Sequence, residues 1–384
     1  MRPHPPKSTL VFLALLAVLA AAGVLRGGAQ APALPQSVAA ALDELAQAEF
    51  VKDGTGGATV AAVKGGVVVW ANAYGLADIG AKRPATTDTV YRIGSITKPF
   101  TALMLLQLVE RGRVRLSDPV GRYFPEIARV AGRPPGSPPI TLLQLATMTA
   151  GLAREPEDLP TFLVGPVERW EEVVLKALER TKYAHEPGTR YLYSNIGYAI
   201  LGLALGRAAG RPYVEYVREQ IIQPLGMTHT DFLPTPQIRP LLANGYDIRQ
   251  GKPDGDQAAR EHDGRGYKVP NGALYTTAAD LAKYVALMLG EGPESVLPRA
   301  AIADNLTRVA SATGGLTSGY GIGFQVQRRG ELVTYGHGGS VAGYRAQILY
   351  HPQSKSGVIV LRNVGGGSFN PSALAQRMLA TLVH

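Results

Sequence analysis

Three short stretches of the chain carry residue types that could perform nucleophilic chemistry. The first is Ser95-Ile96-Thr97-Lys98, at the head of an apolar run that reads as one buried helix ending near Gly112. On a helix, residues three apart share a face, so the two side chains would meet. Gly94 loosens the backbone before Ser95, and Pro99 is tolerated because first-turn amides have no helical partner. A lysine drawn out of water at a helix N-terminus has a depressed pKa and can accept a proton. A serine hydroxyl is a weak nucleophile until a neighbouring base takes its proton, and Lys98 is that neighbour. Taken alone, the same four residues also fit a capping serine followed by a solvated lysine.

The second stretch is Tyr193-Ser194-Asn195, just before another apolar helix. A loop there would present a phenol and a carboxamide to one cleft. The phenol suits proton relay, and the amide suits a hold on Lys98 and on a substrate carbonyl. Taken alone, a capping segment with buried tyrosines is the plainer reading. The third is His337-Gly338-Gly339-Ser340. Glycines weaken a strand unless something must approach its backbone closely. A substrate lying along that strand would bring its carbonyl oxygen to the Ser340 amide. With the Ser95 amide, that makes two donors for a developing oxyanion. A tight turn between strands is the plainer alternative.

Other chemistries find no support. There is no G-x-S-x-G elbow, no HExxH and no phosphate-binding loop. The seven histidines lack metal-ligand spacing, and the glycines of SGYGIGF precede no helix on which a pyrophosphate could rest. Without a single cysteine, disulfides, thiolate zinc sites and iron–sulfur clusters are excluded. The basic residues are scattered rather than interleaved with aromatics, which argues against a nucleic-acid partner. The expected chemistry needs neither metal nor cofactor.

The elements that must position these residues can be read in outline. Residues 1–31 read as a signal peptide. Arg2 and Lys7 open it, 11–25 is an uncharged apolar run, and Ala29-Gln30-Ala31 offers a small-x-small cleavage site. Pro32 is awkward to cleave before, so a cut near Ala22 stays open. An uncleaved anchor is the alternative, although the run falls short of the roughly 20 residues a span needs. Removing Arg2, Lys7 and Arg26 takes the net charge from +9 to 9 − 3 = +6. That charge could favour anionic surfaces of the cell envelope, with an ordinary solvated surface as the simpler reading.

Beyond the signal, a helix over 37–50 precedes two β-rich runs joined at Lys64-Gly65-Gly66. After the Ser95 helix, a mostly helical section spans roughly 113–290. It includes TLLQLATMTAGL, WEEVVLKALERTK, GYAILGLALGRAAG, PYVEYVREQIIQPLG and AADLAKYVALMLG, with long loops at 132–139 and 248–266. Strands return from Tyr320 as YGIGFQVQRRG, ELVTYGHGG, YRAQILYHP and SGVIVLRNV, and PSALAQRMLATLVH makes a last helix. This order predicts an α/β chain of the α+β kind. One antiparallel sheet is assembled from both ends of a single domain over 35–384. The sheet lobe would be 35–112 with 291–384, and the helical lobe, 113–290, would be inserted between them.

Taken in order, S-x-x-K, Y-S-N and H-G-G resemble the serine β-lactamase and penicillin-binding-protein superfamily, nearest its class C β-lactamase, D,D-peptidase and esterase branch. The resemblance covers about 40–384 and includes GLADIGAKRPATTDTVYRIGSITKPF, PLGMTHTDF and NGALYTTAADLAKY. It implies a β-lactamase/transpeptidase-like fold. Ser95 would be the acylated nucleophile, Lys98 its proton acceptor and Tyr193 the acid/base for the leaving group. Asn195 would orient Lys98 and substrate. His337, Gly338, Gly339 and Ser340 would form the substrate-binding strand, and the Ser95 and Ser340 amides the oxyanion hole. The implied enzyme is a serine hydrolase acting on small esters, amides or peptidoglycan-like substrates, and the signal peptide makes it an exported one, periplasmic or extracellular.

Two departures from the family pattern bear on substrate. Lys-Thr-Gly is usual at the third motif, and here His337 and Gly338 replace the cation and the hydroxyl that hold a carboxylate. This tilts the expectation towards an esterase, with a D-alanyl-D-alanine carboxypeptidase or weak β-lactamase as alternatives and Arg345 as a replacement cation. Met148 and Ala150 stand where relatives commonly have His and Ser, in a segment expected to support the site. A non-catalytic sensor or scaffold is the reading from another class. It is disfavoured because Ser95, Lys98 and Tyr193 are all present.

Overall fold

The computed structural model describes residues 34–309 and 318–383. The signal-peptide segment lies outside them. Among the described residues, eight strands form one antiparallel sheet: β1 (Gly57–Lys64), β2 (Val67–Asp78), β3 (Arg83–Pro84), β4 (Ser318–Tyr320), β5 (Gln325–Arg329), β6 (Leu332–Val341), β7 (Tyr344–His351) and β8 (Ser356–Arg362). Their order is β3-β2-β1-β8-β7-β6-β5-β4, so the first and last parts of the chain meet at the β1–β8 pair. That pair is central and buried throughout, apart from the half-buried Lys64. Its sequences GATVAAVK and SGVIVLR are accordingly near-continuous apolar runs, because a strand covered on both faces needs no polar alternation.

Helices cover both faces of the sheet. On one side α1 (Gln36–Phe50) and the C-terminal helix bury Leu42, Leu374, Met378 and Leu379 against Val60, Val358 and Val360. On the other, Ala61, Val63, Ile359 and Leu361 join the larger core, which includes α2 (Thr97–Glu110). From Thr97 to Leu108 every residue of α2 is buried. A helix apolar on all sides lies inside a protein, and burying each large side chain of this kind contributes roughly 1.5–3 kcal/mol. Ala278–Met288 also packs on this face, against β1 and β8.

Three sequence expectations are corrected. TLLQLATMTAGL is helical only over Leu142–Ala146. The Thr147 hydroxyl donates back to the Leu143 carbonyl, and Met148 turns left-handed at φ 61°. The strand expected from Tyr320 breaks after that residue, where a turn closes through the Gly321 N–H on the Phe324 carbonyl, and resumes at Gln325. The polar 248–266 segment is not a plain loop: Asp247–Arg249 and Lys252–Asp254 pair as a hairpin, followed by the short helix Asp256–Arg260.

Candidate active site

Ser95 lies in a 3₁₀ turn, Gly94–Ile96, that runs directly into α2. This turn and the first turn of the helix bring the two side chains together, with Lys98 Nζ 3.1 Å from Ser95 Oγ. The Lys98 amine is fully buried. It donates to Asn195 Oδ1 at 2.7 Å and to the Asn271 carbonyl at 3.1 Å. Burial holds its pKa well below the ordinary lysine value, and the nearby Lys268 cation adds to the effect while Glu155 opposes it.

The second motif is held by the segment that follows Met148. The Ser194 N–H reaches Met148 Sδ at 3.2 Å, and the Leu192 N–H donates to the Met148 carbonyl at 2.8 Å. The Ser194 hydroxyl donates to the Ala153 carbonyl and accepts from the Gly197 N–H, capping the helix Asn195–Ala209. Capping and site-building are thus the same act, because the cap sets the direction in which Tyr193 and Asn195 leave the backbone. The thioether and carbonyl of Met148 brace the Tyr193 loop directly. Lys98 Nζ and the Arg154 guanidinium carbon each lie 4.8 Å from the centre of the Tyr193 ring. Burial raises the phenol's pKa, against the Ser95 hydroxyl and the Arg154 charge, so the phenol keeps its proton at neutral pH.

The third motif lies within β6 and not at a turn. Val341 and Tyr344 flank a two-residue hairpin turn and form its closing pair, and pairing types alternate back along the strand. Gly338 and Ser340 therefore direct their N–H and C=O groups away from β7. On that side β5 reaches only to Gln325, opposite Gly336, so this edge of β6 is free. It runs against the Ser95 turn. A methyl group on Gly94 (φ 50°) would lie 2.6 Å from the Ser340 carbonyl oxygen, and one on Gly339 would lie 1.9 Å from the Ile93 carbonyl oxygen. Neither contact is tolerable, so glycine at both positions lets the Ser340 and Ser95 amides approach one another. Gly339→Ala is expected to push the strand off the turn and to lower kcat on p-nitrophenyl butyrate by about 100-fold or more, the usual cost of losing one oxyanion donor. Circular dichroism of the variant should stay unchanged.

His337 is buried, with its ring turned towards the Tyr193 side. Its Nδ1 is 2.6 Å from the Gly338 carbonyl and its Nε2 is 2.9 Å from the Tyr320 hydroxyl. A carbonyl only accepts, so Nδ1 carries the proton and Nε2 accepts from Tyr320. Burial, with the Lys98 charge, lowers its pKa to about 3, so the ring is neutral. Gly338 leaves a space into which the Gln347 amide projects.

Ser95, Tyr193, Asn195, His337, Gly338, Gly339 and Ser340 share one cleft of about 760 Å³. Lys98 lies beneath it, bonded to Ser95. Four further contributors escape the sequence reading. They are the Asn271 carbonyl, the Tyr320 hydroxyl, Glu155 and Lys268, whose amine meets the Glu155 carboxylate at 3.2 Å. NGALYTTAADLAKY, among the segments carrying the family resemblance, opens at Asn271 and was the one available signal for it. No spacing rule points to the others.

A serine paired with a buried amine, a protonated phenol beside both and two backbone donors, one in the Ser95 turn and one on the open strand edge at Ser340, define the equipment of a serine acyl-transfer hydrolase. The chain belongs to the beta-lactamase family, whose model matches residues 38–382. It is 32% identical over 286 residues to the D-alanyl-D-alanine-carboxypeptidase/endopeptidase AmpH of Escherichia coli K12, covering 73% of this chain and 69% of that one. It is 30% identical over 298 residues to Beta-lactamase-like protein 2 of Dictyostelium discoideum, covering 76% of this chain but only 53% of that protein's length. Among solved structures, the octameric penicillin-binding protein homologue from Pyrococcus abyssi matches with a TM-score of 0.75 at 30% identity, over 90% of this chain and 77% of that one. The fold is thus the β-lactamase/transpeptidase fold.

Proposed function

We propose that this protein is an exported serine hydrolase that acylates Ser95 and turns over short esters ahead of β-lactams. The carrying observation is the environment of Lys98. A neutral amine has two N–H bonds and one lone pair. The Asn195 Oδ1 and Asn271 carbonyl oxygens accept the two N–H bonds, which leaves the lone pair for the Ser95 hydroxyl. Lys98 takes the Ser95 proton as Oγ bonds to the acyl carbon, and the carbonyl electrons move onto the oxygen between the Ser95 and Ser340 amides. Collapse of this intermediate expels an alkoxide or amine. Tyr193 protonates it and is reprotonated from Lys98. Water then repeats the sequence on the acyl-enzyme.

The ester preference rests on the third motif. His337 is neutral with both nitrogens engaged, and Gly338 has no hydroxyl, so neither holds a substrate carboxylate. A D-alanyl-D-alanine carboxypeptidase is the second reading. Arg154 and Arg345 line the same cleft, and among the described residues neither forms an ion pair. Arg345 donates only to the Phe369 carbonyl. The AmpH resemblance points the same way.

A fluorophosphonate probe followed by peptide mapping tests the acyl-enzyme, with an adduct on the Ser95 peptide as the expected result. No adduct on folded protein would defeat the reading in favour of a sensor or scaffold. A panel of p-nitrophenyl esters, a D-Ala-D-Ala peptide and nitrocefin tests the preference. Short esters are expected to turn over readily and nitrocefin slowly or not at all. Nitrocefin turnover rivalling the ester rate would reverse the ranking.

A further inference from the structure

Reserving the Lys98 lone pair for Ser95 requires the Asn195 carboxamide to face Lys98 with its oxygen. Turned over, the same group would aim N–H bonds at Lys98 and compete for that lone pair. Lys98 cannot enforce the orientation alone, because an amine can both donate and accept. The other end of the carboxamide meets Glu155, whose Oε1 is 2.6 Å from Asn195 Nδ2. A carboxylate only accepts, so Nδ2 must face it. We propose that Glu155 is a positioning residue: by accepting from Asn195 Nδ2 it fixes Oδ1 towards Lys98 and keeps the lysine lone pair free for Ser95. This rests on Ser95 and Lys98 being the nucleophile and its base.

Glu155 is itself held. Its Oε1 receives Lys98's neighbour Lys268 at 3.2 Å, and its Oε2 receives the Tyr267 hydroxyl. Tyr267 and Lys268 lie in the same short segment as Asn271, which supplies the second acceptor for Lys98 and donates from Nδ2 to the Asn195 carbonyl at 3.0 Å. The Asn195 N–H in turn donates to the Arg154 carbonyl at 2.9 Å. The 154–155 loop therefore grips Asn195 by backbone and side chain together. The 267–271 segment ties down both the carboxylate and the asparagine. One Nδ2 proton is used by Glu155, and the other stays available to a substrate carbonyl.

Glutamine at 155 has nearly the same shape but can present either an acceptor or a donor, so the orientation is no longer enforced. Glu155→Gln is expected to lower kcat on p-nitrophenyl butyrate by on the order of 10- to 100-fold, the scale of a misplaced catalytic group. KM should change less than about twofold. Loss of the carboxylate charge also removes a group that favours protonated Lys98, so the acid limb of kcat should move to lower pH. That shift follows from the lost charge alone, whereas a fall in plateau kcat at nearly constant KM reports the lost orientation, which a merely structural role would not produce. A folded Glu155→Gln enzyme with wild-type plateau kcat, or with its loss confined to KM, overturns the proposal. If that variant does not fold, Glu155→Asp carries the test. It keeps the charge but withdraws the oxygen from Asn195, so kcat should again fall, and an undiminished kcat overturns the proposal. Wild-type protein is the control. If its Ser95 takes no fluorophosphonate adduct, the nucleophile reading has failed, whereas labelled wild type with an indifferent Glu155→Gln removes only the positioning role.

Discussion

Ser95→Ala is expected to abolish both ester turnover and fluorophosphonate labelling, with a fall in kcat on the order of 10⁴- to 10⁶-fold. The substitution removes one oxygen and little else. The Ser95 amide remains in place beside the free edge of β6, because the turn that presents it is set by Gly94 and by the start of α2. Residual activity should therefore reflect binding and the two backbone donors alone. Lys98 loses one of its three partners and keeps Asn195 and Asn271, so the melting temperature should move by only a few degrees. This combination separates the enzyme from a ligand sensor. In a sensor the wild type would turn nothing over, and Ser95→Ala would leave ligand affinity and every other readout unchanged. The check is stopped-flow ester hydrolysis, with thermal melts on the same preparations. A variant retaining even a tenth of wild-type kcat would remove Ser95 from the mechanism.

The parts of this site that the sequence reveals are those with local consequences. SITKPF can be read because a charged residue at the mouth of an otherwise apolar helix needs a reason, and the β1 and β8 runs can be read because burial on both faces leaves no polar positions. HGGS can be read as a place of close approach, and the Gly339 contact with the Ile93 carbonyl gives that approach its partner. Glu155 is different. In sequence it stands in a polar stretch, EPED, of the kind that usually marks a solvated loop, and only the fold brings it to Asn195, 40 residues on. Tyr320 falls at the end of a strand that the sequence pattern carries further, and its contact with His337, 17 residues on, follows from no local pattern. Met148 is an intermediate case. Its departure from the family pattern was visible, but its left-handed backbone and its hold on Ser194 follow from tertiary packing that no helical periodicity encodes. A left-handed non-glycine residue costs on the order of 1–2 kcal/mol, which the bonds to Leu192 and Ser194 offset.

The role of Lys98 is tested most sharply by exchanging it for arginine. A lysine that served only as a positive charge, stabilising the oxyanion or holding a substrate carboxylate, would be replaced in part by a guanidinium. A lysine that accepts the Ser95 proton would not, because arginine stays protonated in proteins and has no lone pair to offer. Lys98→Arg and Lys98→Met are therefore expected to fall together, each by about 10²- to 10⁴-fold in acylation rate. The pH dependence carries the same argument. Below the depressed pKa of Lys98 its nitrogen is an ammonium, all three N–H bonds point outwards, and none can take a proton. The wild-type rate should thus rise with pH as the amine is freed. His337, with its pKa near 3, contributes no limb close to neutrality, so His337→Gln should leave the acid limb where it is. Tyr193 keeps its proton to well above neutral pH, which puts the alkaline limb far from the acid one. Rescue of Lys98→Met by added small primary amines, rising with pH as the free-base fraction rises, would assign the limb to this nitrogen. Retention of activity in Lys98→Arg would transfer the role of base to another group.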